Sequence, residues 1–221
     1  MLRRKRMIVD IDTQMDFFLA SGVKCIRNHR RVLANIRRVM AWSRLKSVRV
    51  ISTMRGYDPS DLEHPYCTKG TYGQKKISYT MRERNICFAA DGCTDLPRDI
   101  FKDYDQVILQ KRCVDPCDEP RAERILSELA VSDFIVFGAV AEDSVKATVL
   151  GLLARKKHVT VLTDATGSHD KAAAEIAFRQ MEAKGAKLSD TKSLFGSTHL
   201  RLVGTCECDR CQGKVTKTSV A

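Results

Sequence analysis

The sequence predicts a single α/β domain, in which helices cover both faces of a mostly parallel sheet. Its 221 residues are 43% hydrophobic, which is enough apolar material for one sizeable core. Apolar runs of strand length alternate along the chain with segments in which apolar residues recur at helical spacing. Residues 134–137 are apolar without interruption, as is typical of a strand buried on both faces.

The predicted elements follow this alternation in order. The first strand covers residues 7–12, and apolar residues at helical spacing follow it between positions 32 and 40. Further strands are predicted at 48–53, 106–111, 133–140 and 158–163, and further helices at 119–129, 144–154 and 171–184. Residues 55–100, rich in Gly, Pro, Asp and Cys, are predicted to be irregular. Because ligands of such sheets bind beyond the carboxyl ends of the strands, the residues that follow each strand are the candidates for function.

The start of the chain does not have the pattern of a secretory signal. A basic cluster at residues 3–6 precedes the first strand, but Asp10 and Asp12 interrupt the apolar stretch that a signal would need. No apolar run approaches the roughly 20 residues of a membrane helix. We therefore predict a cytoplasmic protein without a membrane partner, whose nine cysteines are mostly free thiols rather than a disulfide framework.

The net charge of +11 is concentrated near the start of the chain. Residues 1–55 hold 14 Lys and Arg against 3 Asp and Glu, and the remainder is balanced. Arg30 and Arg37, like Arg31 and Arg38, are seven residues apart and therefore lie on one side of a helix. Such a face is typical of a solvated helix or of a patch that binds nucleic acid. Without interleaved aromatic residues or a nucleic-acid motif, the sequence favours the solvated helix.

Two charged residues end predicted strands. Asp12 ends the first strand, and Lys111 ends the strand at 106–111. Because the carboxyl ends of parallel strands meet at one edge of a sheet, these side chains are expected to lie close together. A buried pair of this kind is either an acid/base couple with shifted pKa values or a structural ion pair.

Five features give the strongest functional signal. They are IDTQMDFF (11–18), YCTKGTYG (66–73), Lys111 after its strand, GAVAEDSV (138–145) and TDAT (163–166). In this order they resemble the motifs of the isochorismatase-like hydrolases, a superfamily that includes nicotinamidases and isochorismatase. The resemblance implies a three-layer α/β/α domain, here residues 1–198, followed by a Cys-containing tail at 199–221. It also implies a small-molecule substrate and self-association into a homo-oligomer.

The resemblance implies an Asp-Lys-Cys triad, in which Asp12 is the general base or acid and Lys111 its electrostatic partner. The nucleophile position falls on Ser144, whose hydroxyl is far harder to ionise than a thiol. We therefore expect hydrolysis of an amide or vinyl-ether type bond by Asp12 and Lys111 without a thiol. A serine-based variant and a catalytically inactive binding or regulatory module are the alternatives.

The same resemblance places further residues at the substrate site. Gln14 and Phe17 of the first motif and Val140 of the fourth are implied to line it. The main-chain N–H groups of Val140 and Ser144 would correspond to an oxyanion hole at the start of a helix. A cis peptide bond that does not involve proline is implied between residues 139 and 140.

A metal centre of the nicotinamidase type is not expected. Arg55 and Tyr57 stand where the resemblance places metal ligands, and Tyr66 replaces the His of its motif. Because a cation repels a metal ion, we predict no cofactor in the active site. Arg55 is predicted either to hold a substrate carboxylate through its bidentate fork or to lie at the surface.

The tail carries a separate cluster of thiols. Cys206, Cys208 and Cys211, with His199 upstream, are a ligand set that suits tetrahedral zinc. The alternative is a tail that bears free thiols.

Overall fold

The computed structural model describes residues 6–196, which form a seven-stranded sheet in the order β3-β4-β2-β1-β5-β6-β7. All neighbouring strands in it are parallel. The strands are β1 (Arg6–Ile11), β2 (Arg49–Arg55), β3 (Asn85–Phe88), β4 (Gln106–Lys111), β5 (Asp133–Ala139), β6 (His158–Gly167) and β7 (Lys187–Ser189). The predicted α/β fold with a parallel central sheet is confirmed.

Helices connect these strands. They are α1 (Met15–Phe18), α2 (His29–Leu45), α3 (Ile100–Asp103), α4 (Pro120–Glu128), α5 (Lys146–Ala154), α6 (Lys171–Ala183) and α7 (Thr191–Phe195). Short 3₁₀ turns lie at Ser78–Thr80 and Pro116–Asp118, and a π-helical turn at Ala141–Val145 leads into α5. No helix within residues 6–196 combines the length and the apolar character that a bilayer crossing requires.

Two separate apolar clusters show that the sheet is buried on both faces. Ile8 of β1 packs with Val32 and Ile36 of α2 on one face. Its neighbours along β1, Met7 and Val9, belong to the cluster on the other face, which α4, α5 and α6 cover. Because successive strand residues point to opposite faces, this division accounts for the uninterrupted apolar runs of the central strands.

Two strands, β3 and β7, are not predicted by the sequence patterns. β3 lies inside the stretch that was predicted to be irregular, and β7 has only three residues. Both are edge strands that are only partly buried, so they lack the apolar runs by which the central strands are recognised. β6 continues to Gly167, beyond its predicted end at position 163, and pairs there with the end of β5.

The end of β5 approaches β1 closely at the edge that carries the candidate residues. Gly138 has a φ of 134°, and a Cβ atom added there would lie 2.0 Å from the main-chain oxygen of Ile11. This position therefore requires glycine. The peptide bond between Ala139 and Val140 is cis, as the resemblance implied.

Candidate active site

Three strand ends bring Asp12, Lys111 and Ser144 together. Asp12 follows β1, Lys111 ends β4, and Ser144 lies in the π-helical turn after β5. The Lys111 ammonium lies 2.9 Å from Asp12 Oδ2 and donates a hydrogen bond of 2.6 Å to Ser144 Oγ. Thr53 of β2 donates a 2.6 Å hydrogen bond to Asp12 Oδ1. The expected convergence at the sheet edge is thus observed.

The Arg55 side chain fills the centre of this cluster. It ends β2, next to Lys111 in the strand register. Its Nε lies 3.0 Å from Asp12 Oδ2, while Nη2 lies 2.5 Å from both Asp143 Oδ2 and Ser144 Oγ. Its exposed fraction is only 1%. Of the two alternatives from the sequence, the surface position is therefore wrong: Arg55 is an internal part of the site.

Aromatic residues surround the remaining side of this guanidinium group. Arg55 Nη1 donates hydrogen bonds to the hydroxyls of Tyr57, at 3.1 Å, and Tyr66, at 3.3 Å. Phe17 is buried with its ring centroid 5.9 Å from the guanidinium carbon, and it meets the Tyr66 ring edge-on at 5.7 Å. Phe17 therefore lies against the site, as expected for a residue that lines it.

Gln14 holds the backbone of Arg55. Its Oε1 accepts a 2.8 Å hydrogen bond from the Arg55 N–H, and its Nε2 donates to the Arg55 and Gln74 carbonyl oxygens, both at 2.8 Å. Gln14 is fully buried, and its side-chain amide holds the main chain at the end of β2. Val140 is buried as well, and its carbonyl oxygen accepts the N–H groups of Asp143 and Val145. For both residues, contact with a substrate stays a prediction.

The charges of the cluster hold Asp12 ionised. Burial alone would raise the pKa of this carboxyl, but Lys111, Arg55 and the Thr53 hydroxyl lower it to about 2. The pKa of Lys111 is lowered from its ordinary value, chiefly by burial and further by Arg55, although Asp12 opposes this shift. Burial also lowers the pKa of Arg55, but Asp12 and Asp143 raise it above its ordinary value. The negative charges of two carboxylates thus balance the positive charges of Lys111 and Arg55 at the site.

Ser144 is surrounded by donors rather than by a base. Its Oγ accepts from Lys111 and Arg55, and its own proton is donated to the Val114 carbonyl oxygen at 3.0 Å. Lys111 also donates to the Val114 and Cys113 carbonyl oxygens, at 2.8 and 3.1 Å. The serine hydroxyl therefore positions the two cations, and its proton does not point to Asp12.

The cluster is closed to solvent in this conformation. Asp12, Lys111, Arg55 and Ser144 are each no more than 1% exposed. The Asp143 side chain is 33% exposed and forms the outer end of the cluster beside the partly buried Tyr66. The outer end of the cluster is therefore its most exposed part.

The residues present do not fit a metal ion of the nicotinamidase type. The guanidinium of Arg55 and the neutral hydroxyls of Tyr57 and Tyr66 meet at one point, where a cation would be repelled. Within residues 6–196, no three His, Cys, Asp or Glu side chains are grouped as metal ligands. The zinc site predicted from His199, Cys206, Cys208 and Cys211 lies outside the described residues.

Two members of the cluster, Thr53 and Asp143, are among the residues that follow strands, but the sequence assigned them no role. Asp143 stands inside the fourth motif, at the carboxyl end of β5, which is the only sequence signal that points to it. Thr53 and Arg55 are two residues apart in β2 and so share a face of the sheet, and both contact Asp12. The two-residue spacing of Thr53 and Arg55, at the end of a strand, therefore predicts that both side chains lie at the same part of the site.

Comparison with known proteins finds one matching family model and solved structures with the same fold. The family model described as "Isochorismatase domain" matches residues 6–193. Solved structures that share the fold include the following three. A pyrazinamidase of Pyrococcus horikoshii, in complex with zinc, is 18% identical, with 84% of this chain and 99% of that chain covered and a TM-score of 0.67. The nicotinamidase PncA from Bacillus subtilis is 14% identical, with 84% and 99% covered and a TM-score of 0.67.

The third similar structure is the MAR1 ribonuclease from Caenorhabditis elegans. It is 21% identical, with 99% of this chain and 93% of that chain covered and a TM-score of 0.59. No curated protein matches the chain.

Proposed function

Because the chain belongs to the isochorismatase family, whose domain spans residues 6–193, we propose that it is a hydrolase that works without a catalytic thiol. The observation that carries this proposal is the buried contact of Arg55 and Lys111 with the same Asp12 oxygen, Oδ2. It joins a carboxylate base, an ammonium acid and an anion-binding fork, and none of these functions requires a thiol at position 144.

Each charged group has a distinct role in the proposed reaction. Asp12, ionised at neutral pH, accepts the proton of the attacking water or hydroxyl group. Lys111, whose pKa burial lowers, donates a proton to the leaving group. Arg55 binds the anionic part of the substrate and stabilises the negative charge that develops on it. Ser144 keeps the two cations in place and is not the nucleophile.

The position of Arg55 favours an anionic substrate. Its Nη2 is bound to the Asp143 carboxylate, and a substrate carboxylate or phosphate replaces this partner with the same geometry. When Arg55 turns toward the substrate, Asp12 loses one of its two cationic partners. Its pKa then rises toward the ordinary value, so substrate binding also prepares Asp12 to exchange a proton.

Ribonuclease activity is the second candidate function. The similarity to the MAR1 ribonuclease extends over 99% of this chain, and the net charge of +11 favours a polyanionic substrate. A phosphodiester presents the anion that Arg55 and Lys111 are suited to bind, and its cleavage needs no thiol.

The proposal is tested by incubating the purified full chain with two sets of substrates. One set holds small amides and vinyl ethers that carry a carboxylate, and the other a labelled single-stranded RNA. We expect the chain to cleave substrates of one set, and we expect Asp12→Asn to lower this activity. If both sets remain uncleaved while calorimetry shows that a small anion still binds, and Arg55→Met abolishes that binding, the hydrolase proposal is wrong. The inactive binding module then takes its place.

Replacing Ser144 by Ala separates the two hydrolytic mechanisms. We expect kcat to change by less than about ten-fold, because proton transfer is assigned to Asp12 and Lys111. A serine nucleophile would instead cost a factor on the order of 10⁶, as the loss of a nucleophile does in serine hydrolases. Steady-state kinetics decides between them. Thr148→Val is the matched control, since it removes a buried hydroxyl one turn further on, bonded to the Ser144 carbonyl oxygen.

A further inference from the structure

A long stretch of the chain contains cations and no acidic residue. Between Asp16 and Asp58 the sequence has ten Lys and Arg and no Asp or Glu. This stretch includes the whole of α2, whose buried side packs on the sheet. Its positive charge is therefore not compensated by carboxylates along the same segment, which is a condition for attracting a polyanion.

The amino-terminal end of α2 begins beside the candidate active site. The N–H of Ile26 donates to the Phe17 carbonyl oxygen, and that of Arg27 to the Ser168 carbonyl oxygen, just beyond β6. Lys24 lies 5.6 Å from the centroid of the Tyr66 ring. The hydroxyl of the same ring is bonded to Arg55. The cations that precede α2 are thus adjacent to the outer end of the site.

Exposed cations continue from this point along α2. We name Lys24, Arg27, Arg30, Arg31 and Arg38 the cationic track, and all five are exposed. Within residues 6–196, Lys24, Arg27, Arg30 and Arg31 form no ion pair with a carboxylate. Arg31 and Arg38 are seven residues apart, so they are separated by about 10 Å along the helix axis.

We propose that the cationic track binds single-stranded RNA and leads one of its phosphates to Arg55. The inference rests on the ribonuclease form of the proposed function. A single strand is favoured over a duplex because the inner residues are at most 1% exposed and are approached past Asp143 and Tyr66. Two aromatic rings there, those of His64 and Tyr66, are partly exposed and also suit unstacked bases.

The test measures binding separately from cleavage. The full chain is titrated onto a fluorescent 2′-O-methyl oligouridine of about 20 nucleotides, which has no free 2′-hydroxyl, between about 50 and 200 mM salt. The variant carries Arg30→Gln together with Arg31→Gln. The matched control, Arg179→Gln with Lys184→Gln, removes two exposed cations at or just beyond the end of α6, on the opposite face of the sheet.

We expect the track variant to bind at least about ten-fold more weakly, and its slope of log K against log salt to be smaller by about 1.4, or 0.7 for each lost phosphate contact. The control should keep the original slope. Equal losses in both variants, or a slope that does not change, would show that the track is not the binding surface. Binding by the same arginines to phosphatidylserine vesicles but not to the oligonucleotide would also overturn it.

Cleavage distinguishes this inference from the proposed function. With both correct, the track variant raises KM for long RNA and leaves cleavage of a dinucleotide unchanged, because a dinucleotide does not reach α2. If the chain binds RNA through Arg30 and Arg31 but cleaves no RNA, the track is supported and the ribonuclease candidate is wrong. If the track variant cleaves long RNA with an unchanged KM, the proposed role of the cationic track is wrong and the ribonuclease candidate stands.

Discussion

Replacing Asp12 by Asn is expected to lower kcat by a factor on the order of 10² to 10⁴, the usual contribution of a positioned proton-transfer group. The amide keeps the size of the side chain but cannot accept a proton at neutral pH. Arg55 is still present to bind the anionic substrate, so KM should change much less than kcat. Steady-state kinetics on the active substrate measures this split. Unchanged turnover would remove Asp12 from the mechanism.

The same substitution is expected to change the pH dependence of stability. The folded protein lowers the pKa of Asp12 from 3.8 to about 2, so the unfolded chain takes up this proton first as the pH falls. The stabilisation is fully present above about pH 4 and is lost as the pH falls through about 2. Its size is about 2 kcal/mol, because one pKa unit corresponds to about 1.4 kcal/mol.

At neutral pH the Asn variant also leaves Lys111 and Arg55 with fewer carboxylate partners, which costs on the order of 3 to 5 kcal/mol of unfolding free energy. The difference between wild type and variant should therefore narrow on acidification. Urea unfolding at pH 7 and pH 3 measures it, with the exposed Asp103→Asn as a control. A difference that stays constant with pH would contradict the ionised, buried Asp12.

The convergence of Asp12 and Lys111 could be predicted because each follows a long apolar strand. Parallel strands place their carboxyl ends at one edge, so the strand pattern alone brings these residues together. The position of Ser144 depended on the resemblance of its motif, since the turn after β5 is not recognisable from hydrophobic spacing. The fold class was available from the same strand pattern, because the central strands are buried on both faces.

The directions of the Asp143 and Arg55 side chains could not be predicted from the sequence. The backbone at Asp143 has φ −124° and ψ −112°, which is not helical, so helical periodicity does not give the direction of its side chain. Arg55 is a long side chain at the end of a strand, and such a side chain reaches either solvent or the interior. The Arg55 side chain points to the interior because the negative charges of Asp12 and Asp143 offset the free energy cost of burying its guanidinium group.

Replacing Arg55 by Met is the substitution that decides how this buried cation contributes. If it binds the substrate anion, kcat/KM for an anionic substrate should fall by a factor on the order of 10² to 10³, since hydrogen bonds to charged groups each contribute about 1.5 to 3 kcal/mol. Asp12 then loses one cation, its pKa rises, and the acidic limb of the pH–rate profile moves to higher pH.

Two controls make the Arg55 result specific. Arg82→Met removes a partly buried arginine whose guanidinium is bonded to Ser43, outside the cluster, and should leave kinetics unchanged. Arg55→Lys restores the charge but not the planar fork, so it should recover the pKa of Asp12 better than it recovers KM. Faster turnover in Arg55→Met would instead mean that the guanidinium obstructs the site. The contact between Arg55 and Asp143 would then be an inhibitory latch, and the anion-binding role would be wrong.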